Sequence, residues 1–292
     1  MPMTGGHRDL RVPVAPGVRL RVRHRPGDRR PAFLLLHGLA SNALLWDEVA
    51  GLLAAEGLPS YAVDLRGHGE SDGPEDGYDT ATAVADVAAV VAALDLAPAV
   101  VAGHSWGGGV ALRLAAEHPD LVAGLALVDG GWVDIAARMP ERMGRWREVA
   151  SQRIAGRGGD TPEETRAQLR KAHPGWSETA VEAHLADLRP GPDGLLVPRL
   201  PDPHFMSILE CVWNERPHRW YPRVSAPVML MPAVHEGSVA GSRLTREWVD
   251  GAASALSRAT VRWYMGSDHH LHSENPERVA KDLLDLAREA AP

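Results

Sequence analysis

The chain has 292 residues, which allows one large domain or one domain with a sizeable insertion. Hydrophobic residues make up 45% and charged residues 24%, and the net charge of −7 is spread along the chain, so neither a basic nucleic-acid stripe nor a charged tail is present. A single cysteine, Cys211, excludes an intramolecular disulfide, and no apolar run approaches the ~20 residues that span a bilayer.

The first residues, Met1 to Asp9, contain no apolar signal core, so a cytoplasmic protein is expected. Leu10–Val14 and Val18–Arg23, joined by Ala15-Pro16-Gly17, read as an opening hairpin. Phe33–His37 is a buried strand and Ala43–Ala55 a helix. Ser60–Asp64 is the next strand, and Thr80–Leu94 is apolar nearly all round, as a well-buried helix is. Ala99–Ala102 is a strand that runs into Gly103-His104-Ser105-Trp106-Gly107 and then into a helical pattern from Val110. Val122–Val128, Val228–Met231 and Thr260–Tyr264 complete the strands. Pro276–Ala290 is an amphipathic helix with Val279, Leu283, Leu286 and Ala287 on one face. Strands alternating with helices predict an α/β fold with a mostly parallel sheet.

Residues 132–222 break that rhythm and read as helices without clear strands. Thr161-Pro162-Glu163-Glu164 has a capping residue, an N1 proline and a capping-box acid. Ser177-Glu178 and Asp202-Pro203 start two further helices, and Pro190–Gly194 is a loop. The expected division is therefore a core of residues 1–131 and 223–292 with a helical cap of residues 132–222. Cys211 falls in the third cap helix and reads as a structural thiol.

Chemistry centres on Ser105. Strand, sharp turn and helix around Gly-x-Ser-x-Gly make a nucleophile elbow, which holds the hydroxyl clear of the backbone. A serine is a poor nucleophile until a base takes its proton. Tyr264–His272 follows the last strand and carries His269, the candidate base, with His270 as the alternative. A metal site at these histidines lacks acid or cysteine partners at ligand spacing, and no G-x-G-x-x-G fingerprint follows the first parallel strand. No metal or cofactor is expected.

With these segments the chain resembles the α/β-hydrolase superfamily: Leu36-His37-Gly38-Leu39, Asp64-Leu65-Arg66-Gly67-His68-Gly69, Gly103-His104-Ser105-Trp106-Gly107 and Gly266-Ser267-Asp268-His269 occur in family order. The resemblance implies an eight-stranded, mostly parallel sheet flanked by helices, a helical lid and Ser-His-acid catalysis. It implies an oxyanion hole from the backbone N–H groups of Leu39 and Trp106. His37 and Gly38 then shape the turn bordering the pocket, with His270 nearby, and Asp64 holds the Arg66–Gly69 loop. Two positions compete for the acid. The loop after the seventh strand offers Glu236, and the end of the sixth offers Asp129; an aspartate beside Gly130 and Gly131 at the catalytic edge favours Asp129.

A serine rather than an aspartate at the elbow suits acyl transfer, so an ester, lactone or thioester is the expected substrate class. Trp132, Met139, Met143, Trp146, Trp176, Phe205, Met206, Leu209, Trp213 and Trp220 lie in the cap, most of them expected to build its own core, and the Trp106 side chain is expected to line the pocket. Trp132 and the Met206-Leu209-Trp213 stripe are the candidate pocket residues, which points to a medium-sized, mostly apolar small molecule. Cofactor-free haloperoxidase or perhydrolase chemistry, carbon–carbon bond hydrolysis and a small-molecule binding role stay open as alternatives. The sequence does not report the oligomeric state.

Overall fold

The computed structural model describes residues 6–135, 148, 158–234 and 239–291. Strands β1 (Arg8–Ala15) and β2 (Val18–Arg25) form the opening hairpin. They are followed by β3 (Phe33–Leu36), α1 (Asp47–Ala55), β4 (Ser60–Val63), α2 (Thr80–Ala93), β5 (Ala99–His104), α3 (Trp106–Glu117) and β6 (Val122–Val128). Beyond the next interval lie α4 (Pro162–Ala172), α5 (Glu178–Leu185), β7 (Leu188–Pro190), β8 (Leu196–Pro198) and α6 (Asp202–Asn214). The chain closes with β9 (Val228–Met231), β10 (Ala233–Val234), α7 (Val239–Ala255), β11 (Ala259–Val261), β12 (Tyr264–Met265), α8 (Leu271–Glu274) and α9 (Pro276–Glu289).

The main sheet has eight strands in the order β1-β2-β4-β3-β5-β6-β9-β11. Strand β2 runs antiparallel to β1 and β4, and every other neighbouring pair is parallel. Successive strand residues point to opposite faces, and both faces are covered. Leu34, Leu36, Val101 and Leu127 pack with Val87, Val91, Val110 and Leu114 of α2 and α3. Phe33, Leu35, Val100 and Val128 pack on the other face with Val49, Leu53, Leu283 and Leu286 of α1 and α9. Complete burial of such side chains contributes roughly 1.5–3 kcal/mol each. Burial on both faces explains why these strands read as unbroken apolar runs rather than alternating ones.

Three expectations change. Ala43–Trp46 is a separate 3-10 turn, because Asn42 accepts the Leu44 N–H and Asp64 accepts the Ala43 N–H before α1 begins. The expected strand Thr260–Tyr264 splits at Arg262. Its first part, β11, stays in the main sheet, whereas β12 pairs with β10. Residues 132–222 also contain strands: β7 and β8 form an antiparallel ribbon, so the segment around Pro190 is not simply a loop. Asp193-Gly194 between two apolar runs is a hairpin signal, and Gly194 has φ 82°.

The capping box at Thr161 and Glu164 and the Ser177 cap are both formed. Asn42 Nδ2 donates to the Ala183 carbonyl, and Ser177 Oγ donates to Glu48, so α5 and its entry sit on the start of α1. Among the described residues no helix is long and apolar enough to cross a membrane.

Candidate active site

Parallel strands bring their C-terminal ends to one edge of the sheet, and the loops there carry the candidate residues. Ser105 follows β5 directly and caps α3 with φ 53° and ψ −118°. That backbone region is sparsely populated for a residue with a side chain and costs of order 1–3 kcal/mol. Its surroundings enforce it. The Ser105 N–H donates to the Val128 carbonyl, and the Ser105 carbonyl accepts from Gly108 N–H, each at 3.0 Å. A Cβ at Gly103 would strike the Gly107 carbonyl oxygen, and one at Gly107 would strike the His37 carbonyl oxygen. The elbow glycines are therefore required by backbone packing.

Asp129 follows β6 with φ 43°. Its Oδ2 lies 2.6 Å from His269 Nδ1, and its Oδ1 accepts the Ala233 N–H at 3.0 Å. A carboxylate only accepts, so Nδ1 of His269 carries the proton and Nε2 keeps its lone pair. The His269 side chain is 45% exposed and that of Asp129 18%. The His269 N–H is itself held at 2.6 Å by Asp268 Oδ1, and Glu274 accepts the Asp268 N–H. Glu236, the alternative acid, lies outside the described residues, as do Met139, Met143 and Trp146.

His270 is placed differently from His269. Its ring packs against those of Trp176 and His184, 5.5 and 5.4 Å away. Burial, with His184 and His269 beside it, pushes its pKa down to about 3. It is His269, and not His270, that meets Asp129.

The turn after β3 is built by two histidines. His37 is fully buried; its Nε2 accepts the Leu65 N–H and its Nδ1 bonds the Gly38 carbonyl, and burial lowers its pKa to about 4. His68 Nε2 accepts the N–H of Ala40, which sits at φ 54°. Leu39, between them, is partly buried against the core. A Cβ on Gly38 would lie 3.1 Å from Ser105 Cβ, so this turn abuts the elbow. Asp64 anchors the neighbouring loop: it accepts from Ala43 N–H, Arg21 and Glu70 N–H.

One polar residue that the motif reading passed over is His104, between Gly103 and Ser105. It is buried, and its Nε2 donates to the His269 carbonyl at 2.9 Å. Burial and the nearby His272, His269 and His270 hold its pKa well below the ordinary value. A neutral ring donating from Nε2 therefore fastens the loop that carries His269 to the end of β5, beside Ser105. The signal was a polar residue at the end of an otherwise apolar strand.

Ser105, Asp129 and His269 line one cavity of about 170 Å³. Thr80 of α2, Trp106, Gly109 and Leu112 of α3, Gly130, Gly131 and Val133 after β6, and Val212, Glu215, Pro217 and Trp220 line the rest of it. Trp106 lines the cavity as expected, whereas Trp132, Met206, Leu209 and Trp213 are not among its lining residues. Trp132 is 3% exposed and packed in the core, and Val133, one residue on, takes the wall. Leu209 is buried in the same core and Met206 packs against it, and Trp213 is buried as well. The apolar stripe of α6 faces inward, and the cavity meets its flank at Val212 and the chain beyond its end. His37 and Gly38 shape the turn without lining the cavity. Among the described residues no three His, Cys, Asp or Glu side chains are grouped to hold a metal ion.

Residues 31–186 match a family described as the alpha/beta hydrolase fold. An uncharacterized protein of Mycobacterium tuberculosis is 40% identical over 103 residues, 35% of this chain, and the chain spans 30% of that relative's length. Lipase LipV of Mycobacterium tuberculosis is 33% identical over 202 residues, which cover 65% of this chain and 69% of LipV. The crystal structure of E-2-(acetamidomethylene)succinate hydrolase shares the fold, with a TM-score of 0.79 at 23% identity over 96% of this chain and 98% of that one.

Proposed function

This chain belongs to the α/β-hydrolase family, and on that premise we propose that it is a serine hydrolase cleaving an ester, lactone or thioester of a medium-sized, mostly apolar small molecule. The observation that carries the reading is the 2.6 Å contact of His269 Nδ1 with Asp129, beside a serine held in a strained elbow on the same cavity.

Ser105 Oγ attacks the substrate carbonyl carbon while its proton passes to His269 Nε2. Asp129 holds the ring and stabilises the imidazolium that forms. The carbonyl oxygen becomes an oxyanion, and the N–H groups of Leu39 and Trp106 are the proposed donors to it. Trp106 opens α3, so the positive end of the helix faces the charge. Collapse of the intermediate breaks the carbon–oxygen or carbon–sulfur bond, and His269 returns its proton to the leaving group. Water, deprotonated by His269, then attacks the acyl-enzyme; the acid is released and the serine proton restored. Serine–histidine contacts of this kind commonly tighten only when substrate is bound. In the same reading the described parts of residues 132–222 serve as a cap, which Val133, Val212, Glu215 and Trp220 on the cavity support. The lining by Trp106, Leu112, Val133, Val212 and Trp220 supports an apolar substrate.

The test is turnover of p-nitrophenyl esters of graded acyl length by wild type and Ser105→Ala. Wild-type turnover that disappears in Ser105→Ala is the expected result. Turnover that survives the substitution removes Ser105 as the nucleophile, and none in the wild type removes simple ester hydrolysis.

A further inference from the structure

Three consecutive glycines open α3, and they do different jobs. A Cβ on Gly107 would meet the carbonyl oxygens of His37 and Leu36, and one on Gly108 would lie 3.0 Å from the Gly130 carbonyl carbon. Those two positions are closed by backbone. A Cβ on Gly109 would meet nothing within 4 Å, yet Gly109 lines the cavity. Glycine inside a helix is about 1 kcal/mol less favourable than alanine, and no close approach demands it here. The missing side chain is open passage. It connects the Ser105 end of the cavity to a far end at Leu112, seven positions along α3, or about 10 Å away at helical rise.

The far end is tipped by a carboxylate. Glu215 lines the cavity and is fixed by one oxygen only: its Oε1 accepts Trp220 Nε1–H at 3.0 Å and the Arg216 N–H at 3.2 Å. Its Oε2 accepts from no group among the described residues. Trp220, which also lines the cavity, is held rigid, with the Arg113 guanidinium 4.8 Å and that of Arg223 5.8 Å from its ring centre. Glu215 is thus preorganised, with one oxygen unused among the described residues, on a passage whose described walls away from Ser105, Asp129 and His269 are apolar apart from Thr80. The guanidiniums of Arg113 and Arg223 over the Trp220 ring, the first only partly offset by Glu117 at 2.9 Å, disfavour an incoming cation and leave a neutral donor as the group that fits.

We propose that Glu215 is a specificity residue, accepting a hydrogen bond from a neutral hydroxyl or amide N–H on the distal end of the substrate's acyl chain after that chain has passed over Gly109. This rests on the serine-hydrolase reading and narrows its substrate class to acyl groups with a polar, uncharged tip.

The experiment compares p-nitrophenyl octanoate, its ω-hydroxy counterpart and its ω-ammonium counterpart on wild type, Glu215→Gln and Glu215→Leu, with melting temperatures to confirm folding. The readout is the ratio of kcat/KM between paired esters within each variant. Wild type is expected to prefer the ω-hydroxy ester by roughly tenfold or more, the range of a hydrogen bond to a charged group. Glu215→Gln keeps a carbonyl acceptor and should retain part of the preference; Glu215→Leu should lose or reverse it. Equal ratios in folded wild type and variants overturn the proposal, and preference for the ω-ammonium ester overturns its neutral-donor part. Glu215→Gln carries the test if Glu215→Leu does not fold. If wild type hydrolyses none of the esters, ester hydrolysis is what fails; calorimetric binding of the matched ω-hydroxy and plain octanamides then tests Glu215 alone, and equal affinities sink it.

Discussion

His104 Nε2 donates to the main-chain carbonyl of His269 across 165 positions of sequence, at 2.9 Å. The bond ties the residue before the elbow serine to the residue that contacts Asp129. The ring is buried and neutral, so the tether is a neutral hydrogen bond in a site shielded from water. Its loss would move the imidazole rather than remove it.

His104→Phe should therefore lower kcat by about tenfold or more with a smaller change in KM, since misplacement of about 1 Å can cost about a hundredfold. His104→Gln, which restores a side-chain donor, should recover part of the loss. Steady-state kinetics on both variants, with urea midpoints, separates a positioning role from a purely structural one; equal damage by Phe and Gln would argue against the tether.

Asp129→Asn should reduce kcat by up to ~10⁴-fold, because an amide facing Nδ1 favours the wrong tautomer. Glu236→Gln should leave kcat within a few fold. A reversed pair of results would transfer the acid role to the loop after β10.

Acid should destabilise the fold through its buried histidines. Burial lowers His37 and His184 to about 4 and His270 to about 3, against 6.5 in the unfolded chain. Below pH 6.5 the unfolded chain takes up protons that the folded chain refuses, so stability is full above that value and falls as pH drops. Each group contributes up to about 1.4 kcal/mol per pH unit until its folded pKa is reached. Melting temperature should be flat from pH 8 to about 7 and decline towards pH 5; a flat profile down to pH 5 would contradict buried neutral histidines.

Gly109→Ala should raise stability by roughly 0.5–1 kcal/mol, since alanine is the better helix former and the added Cβ meets no atom. Gly109→Val should shift the ester optimum towards shorter acyl chains. An unchanged chain-length profile in Gly109→Val would mean that acyl groups do not pass over α3.

Much of the architecture was legible because its signals are local. Fully buried strands such as Phe33–Leu36 are unbroken apolar runs, and the Gly-x-Ser-x-Gly turn carries its glycines where backbone meets backbone. The eight-stranded, mostly parallel sheet came from resemblance, and the structure has it. The cavity walls were legible only in part: Trp106 was expected there and lines it, and Trp220 was one of the large apolar residues of the cap. Met206, Leu209 and Trp213 make a clear apolar stripe, but a stripe reports burial, not what buries it, and for Met206 and Leu209 the core does. Val133, Val212 and Glu215 sit beside such signals without forming one. The β7–β8 ribbon was hidden by Pro190 and Pro198, which suit edge strands better than central ones.

Asp129 touches the loop after β12 through one oxygen and the chain after β9 through the other. The candidate site therefore exists only after segments 140 and 104 positions apart have come to rest together. Local helices form early and distant pairings late, because loop closure must precede their reward. During refolding, helical circular dichroism should return before ester turnover, and recovered activity would time the last docking event of the chain.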